Sequence, residues 1–240
     1  MRTTTRTFLV AGCVLALAAC TGEGSGSSTT APPSTTPGTT PATPAATASP
    51  EAPATPGDVP ADVFLPEAAW APVAGPRQES RGITDWRLPE ACAAGIASTA
   101  LDMATVTQGD GELEAQVGVQ QVAVFADADA AVAEADRLAA AIDGCQGTAA
   151  DGSTAYVREP LEVGAQGLGL ATDYYGASAE GAVDDGALGS YLALTRRGTA
   201  VTLVALEGGE STVGTARETV TGHAGQAWEL LCRYDSAGCA

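Results

Sequence analysis

The chain predicts an α+β fold: a single domain with a mostly antiparallel twisted sheet, packed with helices and disulfide-bonded. Three observations predict it. Residues 188–195 and 199–206 each alternate apolar and polar side chains around Arg196-Arg197-Gly198, the pattern of a hairpin. Two stretches, 127–143 and 211–231, carry apolar residues at helical spacing. Four cysteines, Cys92, Cys145, Cys232 and Cys239, fall in the same region without a close C-x2-C pair. Strands joined by hairpins and mixed with helices argue for α+β with a largely antiparallel sheet.

In chain order, Arg2 and Arg6 precede an uncharged run from Thr7 to Ala19. This is the layout of a secretory signal. At about 13 residues the run is shorter than the roughly 20 that a helix needs to cross a bilayer core. It ends in Leu17-Ala18-Ala19-Cys20, which resembles the bacterial lipobox of a branched residue, two small ones and a cysteine. A second match, Val10-Ala11-Gly12-Cys13, leaves too little apolar chain ahead of it. Residues 1–19 are therefore read as a lipoprotein signal peptide and Cys20 as the acylated first residue of the mature chain. Two or more acyl chains hold a protein stably on a bilayer. The expected location is the cell membrane, lipid-anchored, on the extracytoplasmic face.

Residues 20–60 are built almost wholly from Thr, Ser, Pro, Ala and Gly. They lack the apolar surface that offsets chain entropy and read as a disordered stalk. Fully stretched at about 3 Å per residue, such a stalk reaches on the order of 100 Å. Thr/Ser/Pro-rich composition also makes it a candidate for O-glycosylation. Residues 61–240 are one domain's worth of chain.

Within that domain, the Ala-rich stretch 91–105 reads as a helix. Residues 113–125 read as a strand carrying Val117, Val119, Val122 and Val124, with a bulge where alternation slips at Gln120-Gln121. Asp127 suits a helix N-cap, and Val132, Ala135, Leu138, Ala139 and Ile142 form the following stripe, stopped at Gly144. Residues 155–158 and 167–171 read as short strands. The last helix carries Val213, Ala216, Val220, Ala224, Ala227 and Leu231 on one face. An even number of cysteines in an exported chain points to disulfides. Of the three possible pairings, Cys92–Cys145 with Cys232–Cys239 is favoured. The long loop is worth about 4 kcal/mol and the short one about 2 on the chain-entropy model.

Composition narrows the function. There is no Lys, which removes P-loop and Schiff-base chemistry, and a single His, His223, which removes multi-His metal sites. The net charge of −18 repels phosphate backbones, so nucleic acid is not an expected partner. His223 has no G-x-S-x-G elbow to work with and reads as structural or surface. Asp184-Asp185-Gly186 and Asp127-Ala128-Asp129 lack the spaced oxygens of a calcium loop and read as a turn and a helix start. Gly164-Ala165-Gln166-Gly167-Leu168-Gly169 departs from G-x-G-x-x-G and reads as a loop. The 29 acidic residues offer many carboxylate pairs, and none is singled out. No catalytic residue, cofactor or metal is assigned. Aromatics are scarce, so Trp70, Trp86, Tyr174 and Tyr175 are marked as candidates for a ligand cleft. The alternative is that Trp86 and Trp228 are core and the tyrosines cover it.

The signal and lipobox, the Thr/Pro stalk, Gln121-Val122-Ala123-Val124-Phe125 feeding a helix that ends in Cys145, and the C-terminal hairpin and helix together resemble an actinobacterial group. That group comprises the extracellular sensor domain of a mycobacterial Ser/Thr kinase and its free-standing lipoprotein relatives. The resemblance covers about residues 86–232 and implies a disulfide-bonded α+β domain with a cleft for an extracellular ligand. It transfers no site residue. Three functions stay open: a non-catalytic sensor-like binding module, a cell-wall-facing hydrolase, and a structural or assembly lipoprotein that binds another protein. The expected partners are the membrane through the anchor and an unknown small-molecule, cell-wall or protein ligand.

Overall fold

The computed structural model describes residues 55–112 and 115–239. Cys20, the signal peptide and most of the stalk lie outside the described residues. Eight strands form one sheet: β1 (Arg77–Arg81), β2 (Asp102–Gln108), β3 (Val117–Val124), β4 (Gly147–Thr148), β5 (Ala155–Pro160), β6 (Ala165–Asp173), β7 (Gly189–Arg197) and β8 (Ala200–Glu207). Their order across the sheet is β1-β2-β3-β8-β7-β6-β5-β4. Every neighbouring pair is antiparallel. Helix α1 (Ala128–Gly144) carries the chain from β3 to the far edge, and α2 (Val213–Leu230) follows β8. The α+β architecture is the one the hairpin and the two stripes predict.

The hairpin closes one residue later than the sequence pattern suggests. Arg197 pairs with Ala200, so Gly198 and Thr199 make the turn, and Gly198 takes a left-handed φ of 53° that an L side chain adopts only with strain. Asp127 caps α1 by accepting from the Ala130 amide at 2.8 Å. Thr212 caps α2 by accepting from the Thr215 amide at 3.3 Å.

Both faces of the sheet are covered. On one, α1 presents Ala131, Ala135, Leu138 and Ile142 to Val119, Ala123, Leu168, Leu170, Leu194 and Leu203. On the other, α2 presents Val213, Ala216, Val220, Ala224 and Ala227 to Ala193, Val204 and Leu206. The segment 59–64 covers the β2–β3 half of that second face, packing Val59, Val63 and Phe64 on Val106, Val122 and Val124. Val59 is fully buried, so the folded body begins slightly ahead of the boundary expected at Ala61.

Two disulfides, Cys92–Cys145 and Cys232–Cys239, are present in the expected pairing, with Cα separations of 5.0 and 4.7 Å.

Several expectations are corrected. Residues 91–105 are not a helix. A 3₁₀ turn at Glu90–Cys92 gives way to irregular chain and then β2. Gly95 sits at a φ of 71°, Cys92 is tied to Cys145, and Ala104 to Gln108 gain ladder partners on both sides, so pairing overrides the alanine propensity. β3 has no bulge. Its register with β2 and β8 runs unbroken through Gln120 and Gln121. The alternation slips because both faces are buried, and each glutamine holds a loop on its own side. Of residues 164–169, only Gly164 is loop, and 165–169 start β6, with a register shift between Ala165 and Leu168 and Gln166 at a φ of 57°. β1 gives no apolar signal because it is an exposed edge strand, Arg-Gln-Glu-Ser-Arg, whose charges discourage further pairing.

Candidate ligand cleft

The strand registers set the floor of the cleft. Tyr156 pairs with Thr172, and Thr172 with Ser190, which places three hydroxyls on one rung across β5, β6 and β7. The next rung along β6 and β7 is Leu170 and Leu192, with Ala205 beside Leu192 on β8. Tyr156, Leu170, Leu192 and Ala205 belong to the core on the α1 face, so Thr172, Ser190 and Glu207, two residues along their strands, point to that face as well. The apolar rungs pack with α1. The hydroxyl rung lies at the strand ends and floors a cavity of about 400 Å³.

The wall is the segment Arg87-Leu88-Pro89-Glu90, and Thr154, Tyr174 and Tyr191 complete the lining. Three attachments hold that wall. The Gln121 side-chain oxygen accepts from the Arg87 amide at 2.6 Å, while its nitrogen donates to Asp85 O and Thr105 Oγ1 at 3.1 Å each. Trp86 Nε1 donates to the buried Glu134 carboxylate at 2.7 Å, and Arg137 donates to the same carboxylate. The Cys92–Cys145 bond closes the far end of the segment against the C-cap of α1. At the lip, the Arg87 guanidinium is paired with Glu207.

The rim loop after β6 is set by Asp173. Its carboxylate accepts from the amides of Tyr175, Gly176 and Ser178 at 2.9, 3.0 and 2.6 Å. Burial alone would raise this carboxyl, and the amides more than offset it, so Asp173 titrates below its ordinary value. The Tyr174 hydroxyl accepts from the Gly208 amide at 3.2 Å, which fixes one side of the opening. The Tyr156 hydroxyl titrates above its usual value, first through burial and then through Asp151 and Glu90. The chamber is thus hydroxyl-rich and aromatic, and its carboxylates, Glu90 and Glu207, outnumber its one guanidinium, Arg87.

Of the four aromatics marked in the sequence, only Tyr174 lines this cleft. Tyr175 is 75 % exposed on its outer rim and lines a neighbouring cavity with Leu188, Gly208 and Glu210. Trp70 is buried on the opposite face, filling the space over Gly118 and meeting the His223 ring edge-on with centroids 4.7 Å apart. Trp86 is buried beneath the wall. Both tryptophans are core, which corrects their assignment to the cleft. Trp228 is half-buried, with Arg197 stacked 4.1 Å above its ring. His223 is structural: Nε2 donates to Ala69 O at 2.8 Å, and burial lowers its pKa.

The residues that build the chamber, Arg87, Glu90, Thr154, Tyr156, Thr172, Ser190 and Glu207, carry no motif. One signal exists in hindsight. Thr172, Ser190 and Glu207 are polar residues in phase with Leu168/Leu170, Leu192/Leu194 and Leu203/Ala205, all at one end of their strands. Among the described residues there is no cluster of three or more His, Cys, Asp or Glu that would hold a metal, and no helix long and apolar enough to cross a membrane.

No protein-family model matches the chain, and no curated protein matches it. Among solved structures, the extracellular domain of PknH from Mycobacterium tuberculosis matches with 14% identity and a TM-score of 0.44, over 69% of this chain and 92% of that one. At that identity and overlap no residue or activity passes from that domain to this chain.

Proposed function

We propose that the chain is a lipid-anchored, extracytoplasmic module that binds a ligand in this cleft without converting it. The observation that carries the reading is the floor. Hydroxyls from three adjacent strands are aligned on one rung beside a cavity of about 400 Å³, within the size range of small-molecule sites. The wall is held by Gln121, Glu134 and a disulfide, so the opening is preformed and a ligand meets little ordering cost. The two cross-links suit an oxidising compartment, in keeping with the signal and lipobox at Leu17–Cys20.

The test is mass spectrometry of compounds co-purifying with the full chain extracted from membranes in detergent, together with thermal shift. Wild-type protein is expected to retain a compound that a chamber-filling Ser190→Trp variant loses. A wild-type protein that is empty and unshifted by cell-wall fragments, lipids and small metabolites overturns the reading. The anchor has its own test. Cys20→Ser is expected to move the protein from the membrane to the soluble fraction, and retention on the membrane rejects acylation at Cys20.

A further inference from the structure

We infer that the cleft is the central part of a longer site and takes a linear oligosaccharide that is neutral or cationic. This rests on the cleft being a ligand site and adds the ligand's chemistry and extent.

The extent follows from shared walls. Tyr174 lines both the central chamber and a second cavity of about 310 Å³ formed with Tyr175, Leu188, Gly208, Gly209 and Glu210. Arg87 lines both the central chamber and a third cavity of about 240 Å³ formed with Gln78, Thr107, Asp110 and Val117. The three meet at single side chains along one end of the sheet, where β6 and β8 finish and β3 begins. A ligand seated on the hydroxyl rung touches both dividing residues, and a longer ligand passes them.

The chemistry follows from what the walls offer. Tyr174 and the exposed Tyr175 line these cavities, and the π face of a tyrosine ring attracts the polarised C–H groups of a sugar. Tyr156, Thr172 and Ser190 both donate and accept, as sugar hydroxyls do, while Thr154 donates to Asp151 and is left to accept. Glu90, Glu207, Glu210 and Asp110 add carboxylates spread over the three cavities, able to accept charge-assisted bonds from ligand hydroxyls or amines. The guanidinium of Arg87 is paired with Glu207 and is the one cation lining the three cavities, outnumbered by Glu90, Glu210 and Asp110, so the walls carry a net negative charge that opposes an anion. Phosphorylated or uronic-acid chains are therefore disfavoured.

An extended peptide fits less well. Peptides that dock on sheets use an open edge for main-chain hydrogen bonds. The floor of the central chamber is formed by β5, β6, β7 and β8, and its rung residues Tyr156, Thr172 and Ser190 lie on strands paired on both sides at that level. What faces the chamber is side-chain hydroxyl, not free backbone.

The test is titration calorimetry of the detergent-solubilised full chain with mono-, di- and tetrasaccharides of gluco, galacto and manno configuration, a glucosamine tetramer and a galacturonate tetramer. At least one neutral or glucosamine tetramer is expected to bind about tenfold or more tightly than its monomer. Tyr175→Ala is expected to weaken the tetramer about fivefold while leaving the monomer within about twofold. Tyr175 is exposed, so this substitution leaves the core intact. The inference is overturned by failure of every neutral and glucosamine tetramer to bind at millimolar concentration, by equal affinity for monomer and tetramer, or by galacturonate binding as tightly as the best neutral chain. If the compound co-purifying with the protein, and lost in Ser190→Trp, is not a carbohydrate, the cleft stands as a ligand site and the oligosaccharide assignment fails alone.

Discussion

At the scale of single residues, two adjacent glutamines do unequal-looking but equivalent jobs. Gln120 faces the α2 side, accepting from the Leu65 amide at 2.8 Å and donating to Val63 O. Gln121 faces the α1 side and holds the chain at Asp85 and Arg87. Each satisfies backbone groups of a segment that has no ladder of its own, which buried chain requires. Gln121→Leu leaves the Arg87 amide without this acceptor and is expected to cost about 1–3 kcal/mol in urea denaturation, with a weakened cleft. Glu134→Ala removes the acceptor of Trp86 Nε1 and one partner of Arg137, and is expected to cost about 1–3 kcal/mol by the same measurement. His223 carries a pH effect. Its folded pKa is below the ordinary 6.5, so the unfolded chain protonates first. Stability is therefore complete above about pH 6.5 and falls as pH drops below it. His223→Gln, which keeps a donor for Ala69 O, is expected to flatten the urea midpoint between pH 7 and about 5.5. Asp173 acts lower, its contribution being complete above the ordinary carboxyl value of 3.8 and lost as pH falls beneath it.

At the scale of elements, the wall of the cleft behaves as a strap. The segment from Trp86 to Cys92 forms no strand and only one short turn, yet it is held at Gln121, Glu134 and Cys145. The Cys92–Cys145 loop spans 53 residues, so a double Cys→Ser variant is expected to lose about 4 kcal/mol by chemical denaturation. A ligand that needs the wall is expected to lose affinity in the same variant under conditions where it remains folded. The opposite face depends on a missing side chain. Trp70 occupies the space above Gly118 so closely that a Cβ there would overlap its ring. Gly118→Ala is expected to cost about 1–3 kcal/mol through overpacking, read as a lower melting temperature.

At the scale of the whole molecule, two meanders are joined by the β3–β8 pairing: β1-β2-β3 from the first half of the domain and β4 to β8 from the second. Long-range pairing of this kind, with a helix on either face, leaves short or charged strands at the edges, β4 at one and β1 at the other. The cleft exists because the sheet carries side chains on the α1 face beyond the part packed with that helix, and those end positions are polar. The chain's charge of −18 agrees in sign with the carboxylates around the opening.

The sequence by itself determined the α+β class, the helices at α1 and α2 with the Asp127 cap of α1, and the β7–β8 hairpin, and it favoured one of three cysteine pairings. These rest on local periodicity, turn chemistry and cysteine count, all of which act over short stretches of chain. The tertiary structure alone decided β1, β2, the unbulged course of β3 and the composition of the cleft. Gln120-Gln121 looked like a fault in alternation because alternation reports burial on one face, and here both faces are buried. Tyr156, Thr172 and Ser190 lie 16 and 18 residues apart along the chain and meet only through strand register. Trp70 and Trp86 stood out as rare aromatics, but rarity in composition says nothing of which side of a sheet a ring falls on. That is fixed by pairing between distant segments, and pairing is a property of the folded chain.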